Sequence, residues 1–511
     1  MTNIRSVSNI SDTHAKRSIP VKIALPKLRT FHPSSNDEAQ RSCRRALEQK
    51  DAEDYEGAQE TMRRLWRGVG ERPEIEGLHA SVAAEVLLCT GVLTSWIGSK
   101  HQIESAQETA KNLLTESITL FESLKDQRQV AAARAELAFC YWRDGEINEA
   151  RTMLTEALQN LPPAGTTRAR SILKLVTIEN SAARHVDALK LLTENASLFE
   201  KIQNHTVKGD YHNDLAITLE EIAASEKRAD YFQRAIKEYV AADHHFRLAK
   251  NLVFRASVKN NVGVLLSSLL RFKEAHKYLD EARRLTISLG DKATTAQIDW
   301  TRAEVFIAEG KLKEAEHVAR KAATVLQKGG HQCVLPDVLI TQGIALARAG
   351  NSERAQFIFQ KAIEAAYKVN ALNKAGLAAL TLIEEISELS PTTLQAAYQQ
   401  AREWLADSQS QGVLLRLNEA AGKFVSSVQS ELSTEDATEI LLTQKFNLQK
   451  KLLEYECLMI KQALAQSNGS VTHAASLLGL SHQGLAYIIE SRHPRLLKER
   501  TPIRRRIAKK K

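Results

Sequence analysis

Apolar residues recur at three- and four-residue spacing along almost the whole chain, which predicts one amphipathic helix after another from about residue 37 to 405. These helices form a repeating unit: a small residue in a first helix, a glycine or loop, then two alanines in a second helix. The clearest unit is Leu137, Ala138, Tyr141, Gly145, Ala150, Leu154, Ala157 and Pro162. Others run Gly263, Ala275, Leu279, Ala282, then Ala303, Phe306, Gly310, Ala315, Ala319, Ala322, then Gly343, Leu346, Gly350, Ala355, Phe359, Ala362. In each, the small residue precedes the first alanine by 12 positions and the second alanine follows 7 later. The last three units start at 263, 303 and 343, a period of 40. Between 176 and 263 the pattern is irregular, with a divergent unit around Leu215, Ala216 and Ala235. The expected fold is all-α, a helical-repeat solenoid whose repeat residues are core.

Residues 406–449 read as a linker with one short amphipathic helix, Val413–Val428, between polar stretches at 407–412 and 430–439. Beyond it, Leu453, Cys457, Ile460 and Leu464 fall on one face of a helix at about 450–466, closed by Asn468 and Gly469. The window Val471–Glu490 then meets the demands of a helix-turn-helix. Two helices that cross closely need a small residue at the fifth place, Ala475, and the sharp bend needs positive φ at the ninth, Gly479. Ala474, Leu478, Leu480, Leu485 and Ile488 supply the shared apolar core, and Ser470 and Ser481 are placed to cap the two helices. A three-helix domain at 450–498 is expected.

Charge sharpens this picture. The formal excess is +9, and residues 492–511 alone hold ten Lys or Arg against one acid, Glu499, so the positive field sits beside this small domain. Residues 499–511 read as a basic disordered tail; residues 1–36, rich in Ser, Thr and Asn and broken by Pro20, Pro26 and Pro33, read as a disordered basic arm. Hydrophobic residues make up 43% and charged residues 26%, as in soluble globular proteins. The sequence offers no uncharged apolar run of membrane-spanning length and no secretory signal, and its five cysteines form no CxxC pair, so a cytoplasmic protein without a disulfide framework is expected.

The repeat spacing resembles the tetratricopeptide repeat, although that family's usual unit is shorter; 40 residues imply longer helices or longer loops. The resemblance covers most of 37–405 and implies a surface that binds a protein or peptide. The terminal domain resembles the DNA-binding domain of the Fis family through Gly469, Thr472, Ala474, Ala475, Leu478, Gly479, Leu480 and Leu485. That resemblance implies a second helix lying in the major groove of double-stranded DNA. It places Ser481, His482, Gln483, Gly484 and Tyr487 at bases and phosphates, Thr472 at the backbone, and a homodimer on paired half-sites. Gln483 suits an adenine edge, and His482 a guanine or a phosphate. This chain departs from the family in having Gly484, Ala486 and Ile488 where basic residues are common; Arg492, Arg495 and Lys498 carry the charge instead.

The sequence carries no GxxxxGK[ST], GxGxxG, HExxH or GxSxG motif, and His244-His245 and the His331/Cys333 pair are too sparse for a metal site. The expectation is a non-enzymatic bacterial transcriptional regulator with no cofactor. The alternative is a repeat adaptor or scaffold whose terminal domain docks on another protein.

Overall fold

The computed structural model describes residues 36–101, 103, 105–226, 228–329, 332–406, 408, 410–431, 448–467 and 469–499. The basic arm, most of the linker's acidic half, His331, Asn468 and nearly all of the basic tail lie outside these residues. The described residues form helices joined by turns and loops, without strands, and the chain falls into two compact units, 1–420 and 421–511.

In the first unit helices follow one another as antiparallel pairs, from Asn36–Asp51 with Tyr55–Met62 to Leu372–Glu385 with Pro391–Trp404. The period of 40 resolves into a module of 20. Leu252–Ser268, Phe272–Ser288, Lys292–Ala308 and Leu312–Lys328 are each 17 residues long and are joined by three-residue links. The extra length over the usual tetratricopeptide unit is therefore in the helices. Each link uses one left-handed residue, at Lys250, Leu270, Gly290, Gly310, Gly350 and Asn370, with φ between 55° and 81°. The residue after it donates its N–H back to a carbonyl five positions earlier, as from Arg271 to Leu266 (2.8 Å) and Lys311 to Phe306 (2.8 Å). This bond closes the helix end and satisfies a carbonyl that would otherwise be orphaned. The sequence shows the device only where glycine performs it; Lys250, Leu270 and Asn370 adopt the same φ without glycine. Asn251 and Asp291 then cap the next helix, accepting from the N–H groups of Phe254 (3.0 Å) and Thr294 (2.9 Å).

All the alanines that define the repeat are buried: Ala138, Ala150, Ala157, Ala275, Ala282, Ala303, Ala315, Ala322, Ala355 and Ala362. So are Leu215, Ala216 and Ala235 of the divergent unit, whose helices His205–Glu226 and Ala229–Leu248 are longer than the 17-residue helices of the regular modules. Small residues face large ones across each pair. A Cβ on Gly263 would lie 2.6 Å from Leu279, and one on Gly343 would lie 2.7 Å from the Phe359 ring. In the module between them the same two positions are Ala303 and Ala319, both fully buried.

The first unit continues past 405: Gln411–Glu431 is longer than the helix read from the sequence, and Arg416 grips the Glu384 carboxylate twice (2.7 and 2.8 Å) and Thr381 (3.0 Å). One helix, Ala80–His101, is long and apolar enough to cross a membrane by length and composition, with Glu85 interrupting its apolar residues, so the chain still has no uncharged run of that length. Most of its apolar stretch is buried inside the repeat array, where Val86, Leu87 and Leu93 are core.

The small-against-large pairing is testable. Gly343→Ala should lower stability by about 1–3 kcal/mol through overpacking, and Phe359→Ala by about 3–5 kcal/mol through a cavity. The double variant copies the Ala303/Ala319 arrangement and should lose less than the sum by about 0.5 kcal/mol or more in urea unfolding. Strict additivity would show that the two positions do not share one contact.

Candidate nucleic-acid interface

Three helices and a terminal turn make the small domain: Leu448–Gln466, Val471–Leu477, His482–Arg492 and the 3₁₀ turn Pro494–Glu499. Each break has a local cause. Gly469 (φ 79°) ends the first helix, and Gly479 (φ 67°) makes the bend before the third. Ser470 accepts from the N–H of His473 (3.5 Å) and Ser481 from that of Gly484 (3.0 Å), so both expected caps form.

The core consists of Ile460, Ala463, Leu464, Ala474, Ala475, Leu485, Ile489 and Leu496, with Cys457, Val471, Leu478 and Ile488 partly buried around it. Two assignments differ. Ile489 joins Leu485 as a fully buried residue of the third helix, with Ile488 at its edge, and Leu480 stands exposed at 41% on the bend. The bend turns the chain outward immediately after Gly479, so the residue following it meets solvent instead of the core.

The residues proposed from sequence occupy three places. Ser481, His482, Gln483 and Gly484 form the start of the third helix, with the first three exposed. Gln483, Tyr487 and Glu490 line the face opposite Leu485 and Ile489, with Tyr487 exposed at 68%. Thr472 is exposed in the first turn of Val471–Leu477. Arg495 and Lys498 are exposed on the 3₁₀ turn, which Leu496 anchors in the core. Arg492 is exposed but paired with Glu456 (3.1 Å), and the same carboxylate takes a bond from buried His493 (2.8 Å). Glu456 thus ties the end of the third helix to Leu448–Gln466. His493, buried among the basic residues that follow the third helix, is part of that internal tie. Glu490 was missed, although its seven-residue spacing from Gln483 was visible; it places a negative charge on the exposed face.

The repeat unit carries polar clusters of its own. Asp51 binds Arg170 with both carboxylate oxygens (3.1 and 2.6 Å), joining the first and fourth helix pairs across 119 residues. Trp96, Phe139 and Trp142 stack in series, and the Arg143 guanidinium lies 4.1 Å from the Trp96 ring. His245, dismissed with His244 as a metal ligand, meets His205 through their Nδ1 atoms (3.1 Å) and stacks on His212, which bonds Glu238 (2.7 Å). Three of the cysteines, Cys43, Cys89 and Cys140, are buried; Cys333 and Cys457 are half-buried.

Asp210 sits among these groups, and burial together with the nearby Asp214 carboxylate pushes it up to about 7. A carboxyl raised in the folded state contributes stability below its unfolded value near 4 and loses it as pH rises towards 7. Asp210→Asn should therefore raise the melting temperature at pH 8 and leave it unchanged at pH 4. Equal shifts at both pH values in thermal unfolding would refute the buried, like-charge environment.

Residues 451–489 match the family described as bacterial regulatory protein, Fis family. Among solved structures, the repeat-bearing chain resembles yeast Tom70 at 14% identity, covering 80% of this chain and 86% of that one with a TM-score of 0.49. It also resembles a Signal Transduction ATPase with Numerous Domains carrying a tetratricopeptide repeat sensor, from Pyrococcus horikoshii (13% identity, 78% and 68% covered, TM-score 0.48). A third match is a Rap protein complexed with Competence and Sporulation Factor (13% identity, 70% and 99% covered, TM-score 0.43). No curated protein sequence matches the chain at a significant level. The chain joins an array of antiparallel helix pairs to a terminal segment that matches the Fis-family model.

Proposed function

We propose that the chain is a bacterial, cytoplasmic transcriptional regulator that binds double-stranded DNA through residues 450–511 and a protein or peptide through its repeats. The observation that supports this best is the third helix of the terminal domain. It is capped by Ser481 and set by the Gly479 bend, and it presents Gln483 and Tyr487 outward within the stretch matched to the Fis family. Gln483 reads a base edge, and His482 and Ser481 meet phosphate at the positive end of the helix dipole, where Gly484 lets the backbone approach closely. Thr472, Tyr487, Arg492, Arg495 and Lys498 position the domain on the backbone. No cofactor or metal is part of this reading, nor is catalysis.

The working form in this proposal is a homodimer. Tyr455, Leu458 and Met459 on Leu448–Gln466 are exposed at 64%, 51% and 38%, on the side away from the core residues Ile460 and Leu464. A second copy of the same helix covers such a stripe. Met459→Glu should shift the chain to monomer in sedimentation velocity and weaken operator binding. A variant that stays dimeric would move the contact elsewhere.

A rival reading has its own support. Leu477 and Leu480, on either side of the bend, are exposed at 59% and 41%, which suits docking on a protein. Mobility shifts with DNA selected from a random pool separate the two. Under the regulator reading, Gln483→Ala should relax base preference by about 1–3 kcal/mol at one position while keeping the salt slope. Removing 499–511 should flatten that slope and weaken all duplexes alike. Glu490→Gln should tighten non-specific binding by removing a charge that repels phosphate. No complex with any duplex at low salt would leave the adaptor reading.

A further inference from the structure

The second helices of two successive pairs, Leu312–Lys328 and Ser352–Lys368, part over the helix between them, Leu335–Arg348, and leave a cleft of about 490 Å³. Its floor is apolar, formed by Leu335, Leu339, Ala323, Ile358 and Ala365. Its rim is cationic: Arg320, Arg354, Lys361 and Lys368 line it against a single lining acid, Glu364.

Phe357 stands at the cleft, exposed at 59%, with the Lys361 ammonium 4.4 Å from its ring centre. Glu316 holds Arg320 at 3.2 Å and accepts from Gln342 (3.1 Å), so the rim arginine is positioned by a carboxylate behind it. These features are outside the set that makes the repeat fold. Positions 355, 359, 362 and 366 form the buried face of Ser352–Lys368, and Phe357, Lys361, Glu364 and Lys368 are its exposed face.

We propose that this cleft receives an acidic, amphipathic segment of a partner protein. Its leucine, isoleucine or aromatic side chains rest on the Leu335/Leu339/Ile358 floor, and its carboxylates pair with Lys361, Lys368, Arg320 and Arg354. This deepens the reading that the repeats bind a protein or peptide and rests on it. Charge complementarity selects the acid, and the floor selects the apolar side chains. Nucleic acid fits the rim but not the floor, because a phosphate laid over leucine and isoleucine loses water without gaining partners.

Selection of a random peptide library displayed on phage, against the full chain, tests this. Parallel selections use the K361E/K368E variant and the Phe357→Ser variant, all three positions being exposed and thus separable from folding, with melting temperature as the control. The expected consensus is rich in Asp and Glu interleaved with Leu, Ile or Phe. A synthetic peptide of that consensus should bind K361E/K368E about tenfold or more weaker, bind Phe357→Ser several-fold weaker, and lose affinity with salt. A cation-rich consensus overturns the proposal. So does a consensus peptide that binds both variants as well as the parent; that result leaves peptide binding by the repeats standing but moves it to another surface. Absence of any enrichment overturns both the cleft and the peptide-binding half of the proposed function. Loss of duplex-DNA affinity in K361E/K368E without any change in peptide binding overturns the proposal in favour of a nucleic-acid surface.

Discussion

Both units of this protein depend on one constraint: where two helices cross, one of them has to present almost no side chain. In the repeat array Gly263 lies under Leu279 and Gly343 under Phe359, at distances that leave no room for a Cβ. In the terminal domain Ala474 and Ala475 fill the corresponding role, fully buried against Ile460, Leu464 and Leu485. Close approach increases the number of dispersion contacts and excludes water from the seam. It also sets the angle at which each helix leaves the crossing. In the array that angle lets the next pair stack on the last. In the terminal domain it turns the third helix so that Leu485 and Ile489 face in and Gln483 and Tyr487 face out. The exposed residues that would do chemistry are therefore a consequence of the small buried ones.

Charge is arranged on the same two scales. Within the repeats, carboxylates and cations answer one another locally, as in Arg255 with Asp243 (3.0 Å) and Lys374 with Asp337. Asp51–Arg170 does so across several pairs. Most of these pairs are partly exposed, so each adds little to stability and mainly fixes geometry. The rim of Lys361 and Lys368 departs from this pattern: among the described residues, neither lysine has a carboxylate seated on it in the way Asp337 sits on Lys374. The terminal segment departs from it more strongly, because the chain's whole formal excess of positive charge follows residue 491.

Periodicity made the array legible because the repeat is a packing rule. Ala275 and Ala282, or Ala315 and Ala322, are seven apart because they lie on one helical stripe. The helix-turn-helix was legible for a related reason: Ala475, Gly479, Ser470 and Ser481 each meet a requirement that few residue types satisfy. What the sequence hid has physical causes too. Leu270 holds a left-handed φ that its side chain disfavours, because the helix-closing bond from Arg271 to Leu266 outweighs the local strain. Leu480 is apolar and exposed because backbone direction after a glycine bend decides burial, which hydropathy does not encode. The tie of Arg492 and His493 to Glu456, and the meeting of His205 with His245 across 40 residues, depend on how helices face one another, which spacing within one helix does not specify.

The terminal helix, taken with its charges, places a limit on how one chain can hold DNA under the proposed function. Arg492 shares Glu456 with His493, and Glu490 sets a carboxylate on the outward face beside Gln483 and Tyr487. The helix that would read bases thus brings little net attraction of its own. Affinity falls to Arg495, Lys498 and the cationic residues after them, a small number of phosphate contacts per chain, and each contact weakens as salt rises. A partner copy doubles those contacts without adding a new kind of interaction, since the second docking becomes intramolecular. The exposed stripe of Tyr455, Leu458 and Met459, on the helix that supports the reading helix, is where such a pairing would fix the spacing between two half-sites. Base selectivity and dimer geometry then come from opposite sides of one small core, so a change in the packing of Ile460 or Leu464 would alter both together.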